Sequence, residues 1–231
     1  MTNTHQTVLG CPEADEIKPI RTVIFAKAPQ PGKVKTRLIP ALGTQGAANL
    51  ASKFLLNMAQ QAVAAAIGPV EVSASPDPNT SDWRPMRSVA DMPPVLAWSA
   101  QGEGDLGERL HRVVDRVIAA GEWVLLVGAD CPALTPDVLR ESASLLKTHD
   151  AVMIPATDGG YVLLGLRRSA AALFQGMSWS TDTVAEETRQ RLSQLGMVYA
   201  ELAALHDIDE PQDLAHLPEG FRQEVDTETA F

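Results

Sequence analysis

Four cations fall within eleven residues at Lys27, Lys33, Lys35 and Arg37, in the run Ala26-Lys27-Ala28-Pro29-Gln30-Pro31-Gly32-Lys33-Val34-Lys35-Thr36-Arg37-Leu38. Prolines and a glycine hold such a loop to a fixed path. Lysine ammonium groups and an arginine fork then grip phosphate oxygens. The same run also reads as a solvated basic loop. It is not a Walker P-loop, because Gly32-Lys33 is followed by Val34 and position 27 is Lys rather than Gly.

Three further segments carry carboxylates. In Val127-Gly128-Ala129-Asp130-Cys131-Pro132, an aspartate follows an apolar run. Unpaired buried charge is costly, so Asp130 is a candidate ligand for Mg²⁺ or Mn²⁺, hard ions that bridge to substrate phosphates. A loop or N-cap hydrogen-bonding role is the plainer alternative. Cys131 reads as a small apolar filler. In Pro155-Ala156-Thr157-Asp158-Gly159-Gly160-Tyr161, Asp158 can accept hydrogen bonds from a sugar or amine, and the glycines suit close approach of a ligand. A turn between strands uses Asp-Gly-Gly equally well. In His206-Asp207-Ile208-Asp209-Glu210-Pro211, Asp207 and Asp209 are candidates to complete the metal site with Asp130. The same acids also suit the start of a short helix, and His206 reads equally as a surface histidine.

Two segments suggest recognition rather than reaction. Gly102-Glu103-Gly104-Asp105-Leu106-Gly107 matches the dinucleotide pattern G-x-G-x-x-G. Two carboxylates inside the turn repel a pyrophosphate, however, and the turn does not follow the first strand. A nucleotide role suits it better: Gln101 for a base or ribose edge, Gly102 for close approach and Arg109 as a cation. As structure alone it is a helix entry capped by Asp105. Met177-Ser178-Trp179-Ser180-Thr181 offers an indole and two hydroxyls ahead of a helix, where Ser180 or Thr181 also serve as caps.

These loops need strands and helices to place them. Short β-rich runs at 21–26, 70–75, 94–98, 123–127, 151–156, 161–166 and 197–200 alternate with helical patterns at 45–67, 81–90, 105–120, 135–147 and 182–195. Such alternation predicts a three-layer α/β sandwich with a mostly parallel sheet. YVLLGL at 161–166 follows its predecessor too closely for a helical crossover, so one antiparallel pairing is expected. Ligands of open sheets sit beyond the carboxyl ends of the strands, which is where the candidate loops fall. One domain over 20–218 is expected, with polar tails at 1–19 and 219–231.

Composition narrows the function. The chain has 231 residues, 45% of them apolar and 21% charged, so it can build a core. Its 29 acidic and 19 basic residues give a net charge of −10, which disfavours nucleic-acid and anionic-membrane partners. Two cysteines, Cys11 and Cys131, provide neither a disulfide framework nor a cysteine zinc site. The N-terminal run lacks a basic segment followed by an apolar one, so no secretory leader is expected. A reduced, cytoplasmic protein is expected.

Together, FAKAPQPGKVKTRL, QGEGDLGERL, GADCPALT, ATDGGYVLLGL, MSWST and DIDEPQDL resemble the DUF2064 group of glycosyltransferase-like proteins, some linked to arsenosugar biosynthesis. That group is similar to the GT-A nucleotide-diphospho-sugar transferase superfamily, which also holds molybdenum-cofactor nucleotidyltransferases and phospholactate guanylyltransferases. The resemblance spans about residues 21–217. It implies a GT-A, Rossmann-like mixed sheet and a nucleotide-phosphate loop at Ala26, Lys27, Pro31, Gly32, Lys35 and Arg37. It implies metal contacts at Asp130, Asp209 and Asp207, with Mg²⁺ or Mn²⁺ as cofactor. Asp158, Gly159, Gly160 and Tyr161, with Trp179, Ser180 and Thr181, fall on the sugar or acceptor side, and Asp130 and Asp158 take the catalytic roles. Two departures stand out: the D-x-D of GT-A enzymes is reduced to the single Asp130, and the threonine usual after the final aspartate is Glu210.

The expected function is metal-dependent transfer from a nucleotide-activated donor to a small-molecule acceptor. The donor is a nucleotide sugar or an NTP, so glycosyl transfer leads and nucleotidyl transfer is the alternative. A non-catalytic nucleotide-binding module and an NAD dehydrogenase are the competitors from other classes, the last resting only on the 102–107 glycines.

Overall fold

The computed structural model describes residues 17–221. The expected tails, 1–19 and 219–231, lie almost wholly outside the described residues, as does Cys11. Within them the chain runs β1 (Ile20–Lys27), α1 (Ile39–Ala65), β2 (Val70–Ser75), α2 (Arg84–Arg87), β3 (Ala97–Ala100), α3 (Leu106–Ala119), β4 (Trp123–Gly128), α4 (Pro136–Leu146), β5 (Ala151–Pro155), β6 (Tyr161–Leu166), α5 (Val184–Gln194) and β7 (Tyr199–Glu201). The described strands form one seven-stranded mixed sheet in the order β3-β2-β1-β4-β6-β5-β7. The expected antiparallel strand is β6, which pairs antiparallel with both β4 and β5, while the other pairs are parallel.

Alternating side chains divide the core into two layers. Along β4, Leu125 and Val127 face α1 and α4, packing with Leu55, Met58, Leu139 and Leu146. Val124 and Leu126 face the opposite way onto Leu110, Val113 and Val117 of α3 and Leu192 of α5. The architecture is therefore the expected three-layer α/β/α sandwich. Short capping signals fix the helix entries. Asp105 and Glu108 form a reciprocal capping box at α3, and the Thr135 hydroxyl accepts from Val138 N with Pro136 at the first helical position.

Two local expectations need correction. The strand expected at 94–98 lies at 97–100, because β3 is fixed by pairing Glu71 with Ala97 and Ala74 with Ala100 on β2. The helix expected at 81–90 is a 3-10 turn over Ser81–Trp83 followed by one short turn, α2. At the start of α1, Gly43 adopts φ 69°, ψ 171°, so regular helix begins only beyond it.

A third cluster matters most for function. Ile208 and Leu217 pack on Leu38, Leu50 and Phe54, with the Phe221 ring tilted against Phe54 at 5.4 Å between centroids, and so fasten the C-terminal segment to α1. Ile208 N also donates to Asp130 O at 3.1 Å. At the opposite, amino edge of the sheet, the buried Glu71 is held by Arg21, Arg116 and Ser99, a network that serves the fold.

Candidate functional site

The carboxyl ends of β1 and β2 finish level, with Lys27 opposite Ser75, and β4 ends two residues earlier, with Gly128 opposite Phe25. From β1 the sheet continues one way through β2 and the other through β4. Loops diverging at such a point leave a crevice. Here the crevice consists of two adjoining cavities of about 510 and 520 Å³ that share Phe25, Arg37, Leu106, Asp130, Trp179 and Asp209.

The first half is cationic. Lys27, Lys33, Lys35, Arg37 and Arg109 line it, against the carboxylates of Asp130 and Asp209. Lys35 is the centre of the arrangement. Its backbone is left-handed (φ 45°, ψ 43°), and its ammonium donates to Asp130 Oδ2 at 2.7 Å and Asp209 Oδ1 at 2.5 Å while lying 5.9 Å from the centre of the Phe54 ring. Asp130 and Asp209 therefore converge on one cation despite their separation in sequence. Burial alone would raise the Asp130 carboxyl, but the Lys35 ammonium outweighs it and holds the group below its usual range. Desolvation acts against the Lys35 charge as well, yet the two carboxylates keep its pKa above the ordinary lysine value. Of the basic-loop lysines, Lys35 closes on Asp130, whereas Lys27 is an exposed wall residue.

The second half is acidic and aromatic. Asp158, Asp182, Asp207 and Glu210 join Asp130 and Asp209 there, facing Phe25, Tyr161 and Trp179. Asp207 has no ion-pair partner among the described salt bridges; burial first, then Asp158, Asp130 and Asp209, push its carboxyl up to about 6. Tyr161 and Trp179 meet edge to face at 6.5 Å, and neither Tyr161 Oη nor Trp179 Nε1 has a hydrogen-bond partner. Burial pushes the Tyr161 phenol up. The acidic loop is held from behind by Asp213, whose Oδ2 accepts from Asp209 N at 3.0 Å and Glu210 N at 2.7 Å, while Oδ1 lies 3.1 Å from His206 Nε2. His206 Nδ1 lies 2.7 Å from Thr157 Oγ1, so His206 is a structural link in this loop.

Other candidate residues fall in different places. Ala26, Gln101 and Arg109 line the cationic half; Gly160, Tyr161 and Thr181 line the acidic half; Ser180 borders both. Pro31 and Gly32 are exposed and, like Gly102 and Gly159, lie off the walls of both cavities. Gln101 is buried, and its amide nitrogen is committed to Ala26 O and Ser73 O, so it cannot donate to a base edge. Gly102 makes room for the chain's own Arg112, which straps the turn through Gln101 O and Glu103 O. At Gly159 the approaching group is likewise internal: an added Cβ would sit 2.1 Å from Asp182 O. Neither Ser180 nor Thr181 caps α5, whose N-cap is Thr183; the Thr181 hydroxyl donates to Ser178 O. Cys131 is a buried thiol pushed up to about 12 by desolvation, which fits its filler role.

Phe25, Leu106 and Asp182 are wall residues that sequence reasoning did not single out. Phe25 carried a usable signal, standing near the carboxyl end of the first strand-like run.

The donors available to a metal are hard carboxylate oxygens. No group of three or more His, Cys, Asp or Glu side chains among the described residues converges closely enough to hold an ion by itself. Two carboxylates already share one cation, however, and Mg²⁺ takes one or two carboxylates together with substrate phosphates. The residues fit such an ion.

An open mixed sheet with this order and a nucleotide-sized crevice at its β1/β4 edge defines an α/β domain of the nucleotide-diphospho-sugar transferase fold. A crystal structure from Desulfovibrio desulfuricans G20, provisionally named a nucleotide-diphospho-sugar transferase, matches with a TM-score of 0.81 and 27% identity over 92% of this chain and 97% of that one. The 4-diphosphocytidyl-2C-methyl-D-erythritol synthase of Anaerococcus prevotii shares the fold alone, with a TM-score of 0.58 at 9% identity over 89% of this chain and 97% of that one. The chain belongs to the DUF2064 family, described as uncharacterized proteins conserved in bacteria, whose family profile matches residues 58–181. It is also 33% identical over 118 residues to the 2-phospho-L-lactate guanylyltransferase of Methanosarcina mazei, a match covering 50% of this chain and 52% of that protein. The corresponding Methanosarcina barkeri enzyme matches at 32% over the same length. The chain thus spans about half the length of these curated relatives. Among the described residues no helix is long and apolar enough to cross a membrane.

Proposed function

We propose that this chain is a metal-dependent transferase that uses a nucleotide-activated donor, with a sugar as the transferred group and a small molecule as the acceptor. The observation that carries the reading is the division of one crevice into a cationic and an acidic half. Lys27, Lys33, Arg37 and Arg109 take the donor phosphates, and Ala26 and Gln101 border the nucleoside. Asp130 and Asp209, with Asp207 beside them, would hold Mg²⁺ or Mn²⁺. When bound, the ion supplies Lewis-acid screening of the diphosphate as it leaves. Lys35 then turns from the two carboxylates toward the phosphates and stabilises the same developing charge. Asp158 has one oxygen engaged by Gly160 N at 2.9 Å and faces the acidic half, where it accepts the proton of the attacking hydroxyl. Gly160, Tyr161, Trp179, Ser180 and Thr181 form the walls around the sugar and acceptor.

Nucleotidyl transfer from an NTP is the second reading. The density of cations in the first half suits a triphosphate, and relatives over half the chain are guanylyltransferases. The buried thiol of Cys131 and the net charge of −10 support a cytoplasmic protein without nucleic-acid partners.

The test combines binding with product analysis. Nucleoside diphosphates and triphosphates are titrated with and without Mg²⁺, and incubations with nucleotide sugars or NTPs are read by mass spectrometry. Metal-dependent stabilisation by nucleotides is expected, followed by release of a nucleoside diphosphate. Pyrophosphate release instead selects nucleotidyl transfer, and no nucleotide binding at any metal concentration overturns the proposal.

A further inference from the structure

The acidic half of the crevice says what kind of acceptor it takes. Asp130, Asp158, Asp182, Asp207, Asp209 and Glu210 line it, and Arg37 is the one cation among its lining residues. That guanidinium is already shared, lying 4.0 Å from Asp209 and 3.7 Å from Glu210. Crediting Lys35 and one divalent ion to this half still leaves it with an excess of negative charge. A phosphate or carboxylate entering here meets repulsion in a partly desolvated space, where like charges interact more strongly than in water.

The other lining residues have the complementary chemistry. Phe25, Tyr161 and Trp179 present ring surface, extended by Leu106 and Leu110. Apolar walls with a few convergent polar groups bind a ligand body by its carbon face and orient it by its polar edge. Carboxylates accept hydrogen bonds only, so the edge they select is one rich in hydroxyl donors.

We propose that the acceptor is an uncharged polyhydroxy compound, a glycoside-like ring held between the aromatic wall and the carboxylates, and that phosphorylated or carboxylated acceptors are rejected. The inference rests on the donor occupying the cationic half, as proposed above. It separates this chain from relatives whose named substrate, 2-phospho-L-lactate, carries both a phosphate and a carboxylate. It also selects glycosyl over nucleotidyl transfer, because a nucleotidyl acceptor of that type needs its phosphate in this half.

The experiment uses the full chain saturated with Mg²⁺ and whichever nucleoside diphosphate binds it. Methyl α-D-glucopyranoside is compared with α-D-glucose 1-phosphate and 2-phospho-L-lactate by calorimetry or ligand-observed NMR. The uncharged glycoside is expected to bind at least tenfold more tightly than either anion. In the double variant Asp158→Asn with Asp182→Asn, both exposed positions, the anions are expected to gain at least fivefold while the nucleotide is held as before. Equal or tighter binding of an anion to the native protein overturns the proposal. So does an unchanged anion affinity in the double variant, and so does binding of none of the three compounds while the nucleotide still binds. Failure of the nucleotide itself to bind is a different result, and refutes the donor assignment on which this one stands.

Discussion

Replacing Lys35 with methionine keeps most of the unbranched side chain and removes the one charge that Asp130 and Asp209 share. Lys35 is 10% exposed, and the two carboxylates 35% and 38%. Breaking a fully buried pair costs about 3–5 kcal/mol. Both acids here are more than a third exposed, so screening reduces the cost to about 1–3 kcal/mol at neutral pH. For a chain of this size each kcal/mol lowers Tm by about 2–4 °C. The pH dependence has a definite sign. In the native protein the folded pKa of Asp130 is depressed, so its contribution is present above the unfolded carboxylate value and is lost as pH falls through the folded value. Lys35 has a raised pKa and contributes below the unfolded lysine value, fading as pH rises through the folded one. The gap in Tm between native protein and Lys35→Met is therefore widest from about pH 6 to 9 and narrows toward pH 3. Mg²⁺ should raise the Tm of the variant more than that of the native protein, because the two carboxylates lose the cation they share and only Asp209 keeps a distant one, Arg37 at 4.0 Å. Thermal melts across pH 3–9, with and without 10 mM Mg²⁺ (about that concentration suffices for a weak carboxylate site), check both points. Equal melting of the two proteins throughout would refute the shared-cation account.

Arg37→Ala is expected to weaken nucleoside diphosphates about tenfold while leaving nucleosides unchanged, as befits one charge-assisted contact at a half-exposed position; titration calorimetry reads the difference. Asp213→Asn removes the charge that accepts from Asp209 N and Glu210 N, and should cost about 1–3 kcal/mol in urea melts at pH 7. The Asp213 carboxyl is held below its usual range, burial opposing and the Glu210 and Asp209 amides prevailing, so the native protein loses this stabilisation as pH falls through the folded pKa and the variant does not. Gly159→Ala meets Asp182 O at 2.1 Å on a backbone with φ +93°, and should destabilise by about 2 kcal/mol or more, read as a fall in Tm.

What the sequence made legible follows from the range of each signal. The continuous run at 123–127, the capping residues Asp105 and Thr135, and the short link before YVLLGL are local, and each marks an element the structure contains. Strand β3 was misplaced because its limits come from pairing with β2, a non-local constraint that Pro93 and Pro94 only hint at. The basic loop and the carboxylates could be read from type and position after strands. Their sorting into two halves could not, because Asp182 and Glu210 join Asp158 only after β5, β6 and the C-terminal segment have come together. Gln101 and Gly159 were read as facing a ligand, yet both answer to backbone groups of their own chain, Ser73 and Ala26 for one and Asp182 for the other. A glycine or amide looks the same in sequence whichever neighbour it accommodates.

The docking of Ile208 and Leu217 onto Leu38, Leu50 and Phe54 has a consequence for how the protein is made. Asp209 reaches Lys35 and Asp130 only once that segment lies against α1, so the crevice gains its final carboxylates from nearly the last described residues to be synthesised. Until then Lys35 has Asp130 alone to neutralise it, and the acid loop has no anchor. The sheet from β1 to β7, with α5 closing its second hydrophobic layer, precedes that segment in the chain and can assemble while the molecule still lacks a finished binding edge. Competence to engage a ligand thus arrives late and all at once, as a report that the whole domain has folded.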